Sequence, residues 1–291
     1  MKINSSGKYW DQGWNPIVGC RKVSPGCDNC YAMANAWRIG RHPNPKIAGR
    51  YQAVLDEEGW WSGEVEFLES VLSVPPKRKK PTIYFNSMSD PFRRAVPDEW
   101  LDQMFAVMAL CPQHTFLLCT KRPERMREYL NASTIAEKVK KWPLPNVWLG
   151  VTAENQEMAD KRIPILLNTP AAIRYVSVEP CLGPVGLADV SPLDWVVVGG
   201  ETGAEARPMH PDWARSLRDQ CQEAGVPFFF KQWGEWKQCQ EPQEVYSAKT
   251  GFQTLVAGEG FKRVGKKAAG RILDGKEYNE MPTIKETFYA S

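Results

Sequence analysis

With 291 residues the chain is long for one compact domain and short for two, and a composition of 43% hydrophobic and 24% charged residues excludes a disordered polypeptide. It has no apolar run approaching the roughly 18–20 residues of a bilayer-spanning helix, and the opening MKINSSGKYW lacks the apolar stretch of a secretory leader, so a cytoplasmic protein with no membrane attachment is expected. A net charge of +3 is too small to announce nucleic-acid binding through bulk electrostatics.

Short, almost continuously apolar runs alternate with helical patterns, the mark of βα units whose strands are buried on both faces. In chain order, a first strand is expected within Trp14–Val18, then a short Ala-rich helix over 31–39 stopped by Gly40, then a helix over 63–73 ended by Pro75 and Pro76. A strand over Thr82–Asn86 leads to a helix over 97–110. Pro97, Asp98 and Glu99 suit its first turn, and Leu101, Met104, Phe105 and Met108 recur at helical spacing. Strands follow over Thr115–Thr120, Val147–Thr152, Arg174–Glu179 and Trp195–Gly199. A helix over 211–224 opens with Pro211 and Asp212 and stops at Gly225; its Cys221 lies on the apolar face and reads as a core residue. The last strand is Pro227–Lys231. This succession predicts an α/β fold, a parallel (β/α) barrel of six to eight strands left open, spanning residues 1–237. Residues 238–291 lack long helical periods and read as a C-terminal extension with a hairpin or two, packed over one rim of the barrel.

The strands run directly into polar residues. Asn86, Ser87 and Asp90 follow one, Lys121 the next, then Thr152 with Glu154, Glu179, Glu201 and Lys231. In a parallel barrel these ends gather on one face, where barrel active sites are built. Any one of them reads equally well as an ordinary strand end.

Eight cysteines without a leader argue for thiol or metal chemistry rather than a disulfide scaffold. Cys20, Cys27 and Cys30 follow C-x6-C-x2-C spacing around the turn Ser24-Pro25-Gly26, with Cys30 entering a helix. Such a loop can bring soft thiolate ligands to a metal. A structural zinc site wants four ligands; His42 lies beyond the helix, and Cys181 is an open question as a further ligand. An iron–sulfur cluster with one open iron, a zinc with a distant fourth ligand, and ordinary thiols all remain open on the residues alone.

The stretches Trp14-Asn15-Pro16, SPGC and CYA, NSMSDPF at 86–92, TKRPER at 120–125, VEP at 178–180, GGETG at 199–203, KQWGEW at 231–236 and GKKAAGRILDG at 265–275 together resemble a phage-associated branch of the radical S-adenosylmethionine superfamily. The superfamily's usual spacing is C-x3-C-x2-C, three residues shorter before the second cysteine. Its Gly-Gly-Glu usually ends the second strand; here Gly199-Gly200-Glu201 ends the sixth. The resemblance implies that Cys20, Cys27 and Cys30 bind a [4Fe–4S] cluster whose open iron chelates S-adenosylmethionine. One electron then cleaves the sulfonium bond, and a 5′-deoxyadenosyl radical takes hydrogen from substrate. It further implies that Asn86, Ser87 and Asp90 accept from the cofactor amine or ribose, that Lys121 or Arg122 pairs its carboxylate, and that Thr152, Glu154 and Glu179 hold ribose hydroxyls. Glu201 and Lys231 would face substrate as catalytic residues. An external one-electron donor such as flavodoxin or ferredoxin is expected. A nucleotide or DNA base is the expected substrate class, on basic and aromatic residues of the extension (Lys262, Arg263, Lys266, Lys267, Phe261) and on Trp233 and Trp236 as stacking platforms. Two non-radical readings compete: a zinc-stabilised nucleic-acid-binding protein, and a barrel hydrolase using Glu179 and Glu201 as an acid/base pair.

Overall fold

The computed structural model describes residues 7–132, 135–239 and 260–283. Its strands are β1 (Gln12–Gly13), β2 (Ile17–Val18), β3 (Glu66–Phe67), β4 (Ile83–Phe85), β5 (Thr115–Thr120), β6 (Val147–Thr152), β7 (Ile173–Val178), β8 (Trp195–Gly199), β9 (Phe228–Gln232), β10 (Trp236–Cys239) and β11 (Gly260–Arg263). The helices are α1 (Tyr31–Gly40), α2 (Pro45–Gln52), α3 (Glu69–Leu72), α4 (Val74–Lys77), α5 (Asp98–Leu110), α6 (Pro123–Ala132), α7 (Ile135–Lys138), α8 (Gln156–Leu167), α9 (Pro211–Ala224) and α10 (Lys266–Ala269).

Seven strands form one parallel sheet in the order β1-β4-β5-β6-β7-β8-β9. The sheet curls into a half-barrel and does not close: no ladder joins β1 to β9 among the described residues. Helices α5, α6, α8 and α9 fill the crossovers, whereas β7 reaches β8 through a helix-free loop whose Val185, Leu187, Val190 and Leu193 are buried against the same core. Among the described residues no helix is long and apolar enough to cross a membrane.

Two expectations need correction. The first barrel strand is Gln12–Gly13, paired with Tyr84–Phe85, and not the run Trp14–Val18. Pro16 has no N–H to give a ladder; beyond it Ile17–Val18 turns away and pairs antiparallel with Glu66–Phe67. That pairing also removes the front of the helix expected over 63–73, which shrinks to Glu69–Leu72. Pro75 and Pro76 do not end helical structure here. They sit at the start of α4, where a missing N–H costs nothing.

Alternation along each strand divides the interior. Phe116, Leu149, Val176, Val196 and Phe230 face the helices in the main core, with Cys221 fully buried among them. Leu117, Trp148, Tyr175, Trp195 and Phe229 face the concave side and close around Tyr9 from the N-terminal segment. The Tyr9 ring lies 5.1 Å from Trp195 and 5.4 Å from Phe229, edge on. The lower lumen is therefore a packed aromatic plug, and only the upper part, at the C-terminal strand ends, is left for polar groups.

Residues beyond 237 also build the barrel wall. Strands β10 and β11 form an antiparallel hairpin. Tyr278–Glu280 runs along the exposed edge of β9, with Phe230 N–H donating to the Tyr278 carbonyl at 3.0 Å and an antiparallel bridge between Phe229 and Asn279. An open barrel leaves an edge strand that must be covered, and this tail covers it.

A candidate active-site cleft at the barrel mouth

The C-terminal strand ends surround an open cleft whose empty space, counting the solvent in its mouth, is about 1080 Å³. Cys20, Cys27, Cys30, Asn86, Ser87, Asp90, Lys121, Thr152, Glu179, Glu201 and Lys231 all line it. Glu154 does not. It is fully buried behind the wall, paired with Arg162 at 2.9 Å, so it is not placed to hold a ribose.

Three carboxylate–arginine pairs hold the cysteine loop, Asp90–Arg122 through its arginine, Glu154–Arg162 through its carboxylate and Glu201–Arg207 through both. Asp90 accepts from Arg122 at 2.6 Å, from Thr120 Oγ1 and from the Lys121 amide, while Arg122 donates to the Arg21 carbonyl at 2.7 Å. Glu154 accepts from the Gly26 amide at 3.2 Å. Burial opposes its charge, but Lys121 and Arg162 outweigh burial and hold its carboxyl below the ordinary range. Glu201 spends both oxygens on Arg207, at 2.6 and 2.8 Å, and also takes the Asn29 amide at 3.0 Å; Arg207 reaches on to the Pro25 carbonyl at 2.9 Å. Loop points Arg21, Pro25, Gly26 and Asn29 are thereby fastened to four different strand ends.

Two glycines make that fit possible. Gly19 has φ +92°, and a Cβ there would stand 2.2 Å from the Glu64 carbonyl oxygen, so only glycine makes the turn into Cys20. A Cβ on Gly200 would stand 2.0 Å from the Trp233 carbonyl oxygen, which accounts for one glycine of Gly199-Gly200-Glu201 by backbone approach alone.

The cleft floor is organised differently. Glu179 Oε2 accepts from Tyr9 OH at 3.0 Å and Ser177 Oγ at 3.1 Å. Lys231 Nζ stands 3.1 Å from Glu179 Oε1 as an ion pair without hydrogen-bond alignment, so that oxygen accepts no hydrogen bond. Burial, then the Glu179 charge, raises the Tyr9 pKa well above the ordinary value, so the phenol keeps the proton it donates. Lys121 makes no ion pair or side-chain hydrogen bond among the described residues. Burial works against its charge, but the fields of Cys27, Glu154, Cys119 and Cys30 prevail and raise its pKa. Asn86 is buried, lines the cleft, and has an Oδ1 without a partner. An unpaired cation and an orphaned acceptor are what a zwitterionic ligand would satisfy.

Cys20, Cys27 and Cys30 are in no disulfide. Burial, with Asp90 nearby, pushes the Cys20 thiol up to about 11. Among the described residues no three His, Cys, Asp or Glu side chains stand close enough to hold a metal ion as arranged. The three thiols thus share one wall without forming a finished ligand set. Their chemistry fits an iron–sulfur cluster better than zinc: they are three soft donors facing a cavity rather than a fourth side chain. Cys181 is buried in the helix-side core, its thiol pushed up to about 12 by burial, and does not line the cleft.

Several site residues have no signal in the sequence. Tyr9 precedes the first strand, Arg207 lies in a loop, and Arg162 is an ordinary helical position. Cys119 lines the cleft as the residue before Thr120 and could have been found by strand alternation. Tyr31 projects a ring that is 44% exposed, yet its hydroxyl donates to the Ser87 carbonyl at 2.9 Å. Trp233 N–H donates to the Ile272 carbonyl and Trp236 N–H to the Ala206 carbonyl, so both indoles are fixed through their edges and remain partly exposed.

The family model described as a protein of unknown function (DUF5131) matches residues 4–282, and the chain belongs to that family. No curated protein and no solved structure matches it.

Proposed function

We propose that this member of the family is a radical S-adenosylmethionine enzyme, with Cys20, Cys27 and Cys30 as the ligands of a [4Fe–4S] cluster. The observation that carries the reading is the meeting of Cys20, Cys27 and Cys30, none in a disulfide, with charged and polar side chains around one open cleft at the mouth of an open parallel half-barrel. When bound, the cluster and S-adenosylmethionine supply one-electron cleavage of the sulfonium and removal of a hydrogen atom from substrate.

The chain's own residues divide the remaining work. Lys121 meets the methionine carboxylate as a point charge. Asn86 Oδ1 accepts from the methionine amine, and Ser87 and Thr152 stand along the same wall for the ribose. Asp90, Glu154 and Glu201 act as positioning residues, because their oxygens are engaged by arginines and by the cysteine loop. Glu179 and Lys231 form the floor that substrate meets, kept in place by Tyr9 and Ser177. The aromatic plug beneath them seals the lower lumen against water, which a radical reaction requires. A nucleotide or nucleic-acid base remains the proposed substrate class. It rests on the basic residues of the extension, with the edge-fixed, partly exposed Trp233 and Trp236 as stacking platforms.

The test is anaerobic purification with iron and sulfide reconstitution, followed by dithionite and S-adenosylmethionine. Formation of 5′-deoxyadenosine and methionine is expected, with loss in Lys121→Ala and in Cys30→Ala. An iron-loaded protein that never cleaves S-adenosylmethionine would overturn the assignment.

A further inference from the structure

A fourth cysteine opens on the cleft, and the three-ligand cluster gives it no work. Side chains of β5 that face the barrel interior alternate along the strand: Leu117 belongs to the aromatic plug, Lys121 lines the cleft, and Cys119 stands at the boundary between them. Its thiol lies 3.5 Å from Thr152 Oγ1. Thr152, Lys121, Glu179 and Tyr175 are the groups that act on it, and none of them is a cysteine. Burial outweighs the Thr152 hydrogen bond and the Lys121 charge and raises its pKa, so the thiol keeps its hydrogen. A phenol stands next to it. Cys119 pairs with Gly150, and Gly150 with Tyr175, across three neighbouring strands. Gly150 has no room for a Cβ, because the hydroxyl end of the Tyr175 ring lies against it. The ring thus crosses β6 toward Cys119. Its hydroxyl is buried without a hydrogen-bond partner among the described residues, and after burial the Cys119 thiol acts on it most. From Tyr175 the rings continue at 5.7 Å to Trp195, 5.1 Å to Tyr9 and 4.7 Å to Trp10, which is partly exposed. In the same cleft the buried Asn86 presents an Oδ1 with no partner, an independent sign that a ligand belongs there.

We propose that Cys119 is a catalytic hydrogen-atom donor, giving its thiol hydrogen to a carbon-centred radical in the cleft, with Tyr175 behind it to restore the thiol. The proposal rests on the radical reading above. In the first step the Cys119 S–H bond breaks homolytically, a C–H bond forms, and a sulfur radical remains. In the second the Tyr175 O–H bond breaks, the S–H bond forms again, and a phenoxyl radical remains. An external one-electron reductant and a solvent proton return the phenol, with the rings from Trp195 to Trp10 as the path of the electron. A thiol S–H bond is weaker than an alkyl C–H bond, so transfer to carbon runs downhill; the hydroxyls of Thr152 and Ser177 hold their hydrogens too tightly. A thiolate would have no hydrogen to give, and burial prevents that state. Cys20, Cys27 and Cys30 bind the cluster in this reading, which leaves Cys119 as the free cleft thiol among the described residues. A merely structural cysteine sits as Cys221 does, in the helix-side core and away from the cleft.

The experiment compares the full chain with Cys119→Ser and Tyr175→Phe in two arms. The first uses iron-free protein and reads the S–H stretching band that the parent shows and Cys119→Ser lacks in infrared difference spectra. The band should persist to about pH 9, above the ordinary thiol value of about 8.5; a band lost at neutral pH would overturn the proposal. The second uses reconstituted protein with dithionite and S-adenosylmethionine in heavy water, with no added thiol and no substrate. The Cys119 hydrogen exchanges with solvent and carbon-bound hydrogens do not, so 5′-deoxyadenosine from the parent should carry a deuterium, read by mass spectrometry per molecule formed. Cys119→Ser should lose that deuterium, and Tyr175→Phe should lose the phenoxyl signal in freeze-quenched electron paramagnetic resonance. Undeuterated 5′-deoxyadenosine from the parent, or equal deuterium from Cys119→Ser, would overturn the donor role and leave the radical reading standing. A phenoxyl signal unchanged in Tyr175→Phe would overturn the restoring role. Loss of iron in Cys119→Ser would make Cys119 a cluster ligand and overturn the donor role as well. No 5′-deoxyadenosine from the iron-loaded parent would overturn the radical reading, and this proposal with it.

Discussion

The rim and the floor of the cleft both carry carboxylates at strand ends, yet they use them in opposite ways. Around the rim, Asp90 and Glu201 at the cleft and Glu154 buried behind its wall are each paired with an arginine, and each pair reaches the cysteine loop. On the floor, Glu179 has a lysine partner at one oxygen, which accepts no hydrogen bond, and hydroxyl donors at the other. Arginine suits the rim because its planar fork grips two acceptors at once, here a carboxylate and a loop carbonyl. Lysine suits a floor that must accommodate a ligand, because a point charge on a flexible stem can change partners. A carboxylate at a strand end is therefore not sufficient evidence of a ligand contact; the identity of its cation tells which role it has.

This contrast can be broken at either side. The largest effect is expected from Glu154→Ala, which strands Arg162, only 4% exposed at its side chain, without its buried partner. Removing one member of such a pair costs about 3–5 kcal/mol, read as a lower denaturant midpoint. Gly200→Ala should follow at about 1–3 kcal/mol, because its Cβ meets a backbone carbonyl that cannot swing aside. Arg207→Ala should cost about 1–3 kcal/mol by leaving the buried Glu201 without its cation. It should also speed the reaction of Cys27 with a thiol reagent; unchanged thiol kinetics would mean that the rim does not hold the loop. On the floor, Glu179→Gln should change stability by no more than about 1 kcal/mol while abolishing substrate turnover. A large loss of stability there would make the two regions alike. The smallest effect belongs far from both. Hydrogen bonds from Arg215 and Arg218 hold Asp274 below the ordinary carboxylate range. A depressed folded pKa means that its contribution is full above the unfolded value and lost as pH falls through the folded one. Asp274→Asn should therefore remove a small stabilisation at neutral pH, leave stability at pH values below the folded pKa almost unchanged, and so slightly flatten the acid side of the profile.

The barrel was legible because its physics is local. Five apolar strands from Thr115 to Gln232 and the helices over 98–110 and 211–224 lie where periodicity and capping residues place them. The first strand was not legible: two residues, Gln12 and Gly13, carry no period at all. The helix expected over 63–73 failed because pairing with Ile17–Val18 overrode local propensity. At the site, strand-end position foretold which residues meet in the cleft but not which way each carboxylate turns. That depends on Arg162 and Arg207, whose roles arise only from tertiary approach. Glu154 was misplaced for this reason: being two residues past a strand reveals nothing of an arginine eight residues further on, in the following helix.

The most direct test of the central claim is the iron and sulfide content and visible spectrum of anaerobically reconstituted protein, compared with Cys27→Ala and Cys221→Ala. The account predicts four irons and an iron–sulfur chromophore in the parent chain and in Cys221→Ala, and loss of both iron and chromophore in Cys27→Ala. A parent chain that takes up no iron, or a Cys27→Ala variant that keeps its full complement, would contradict it.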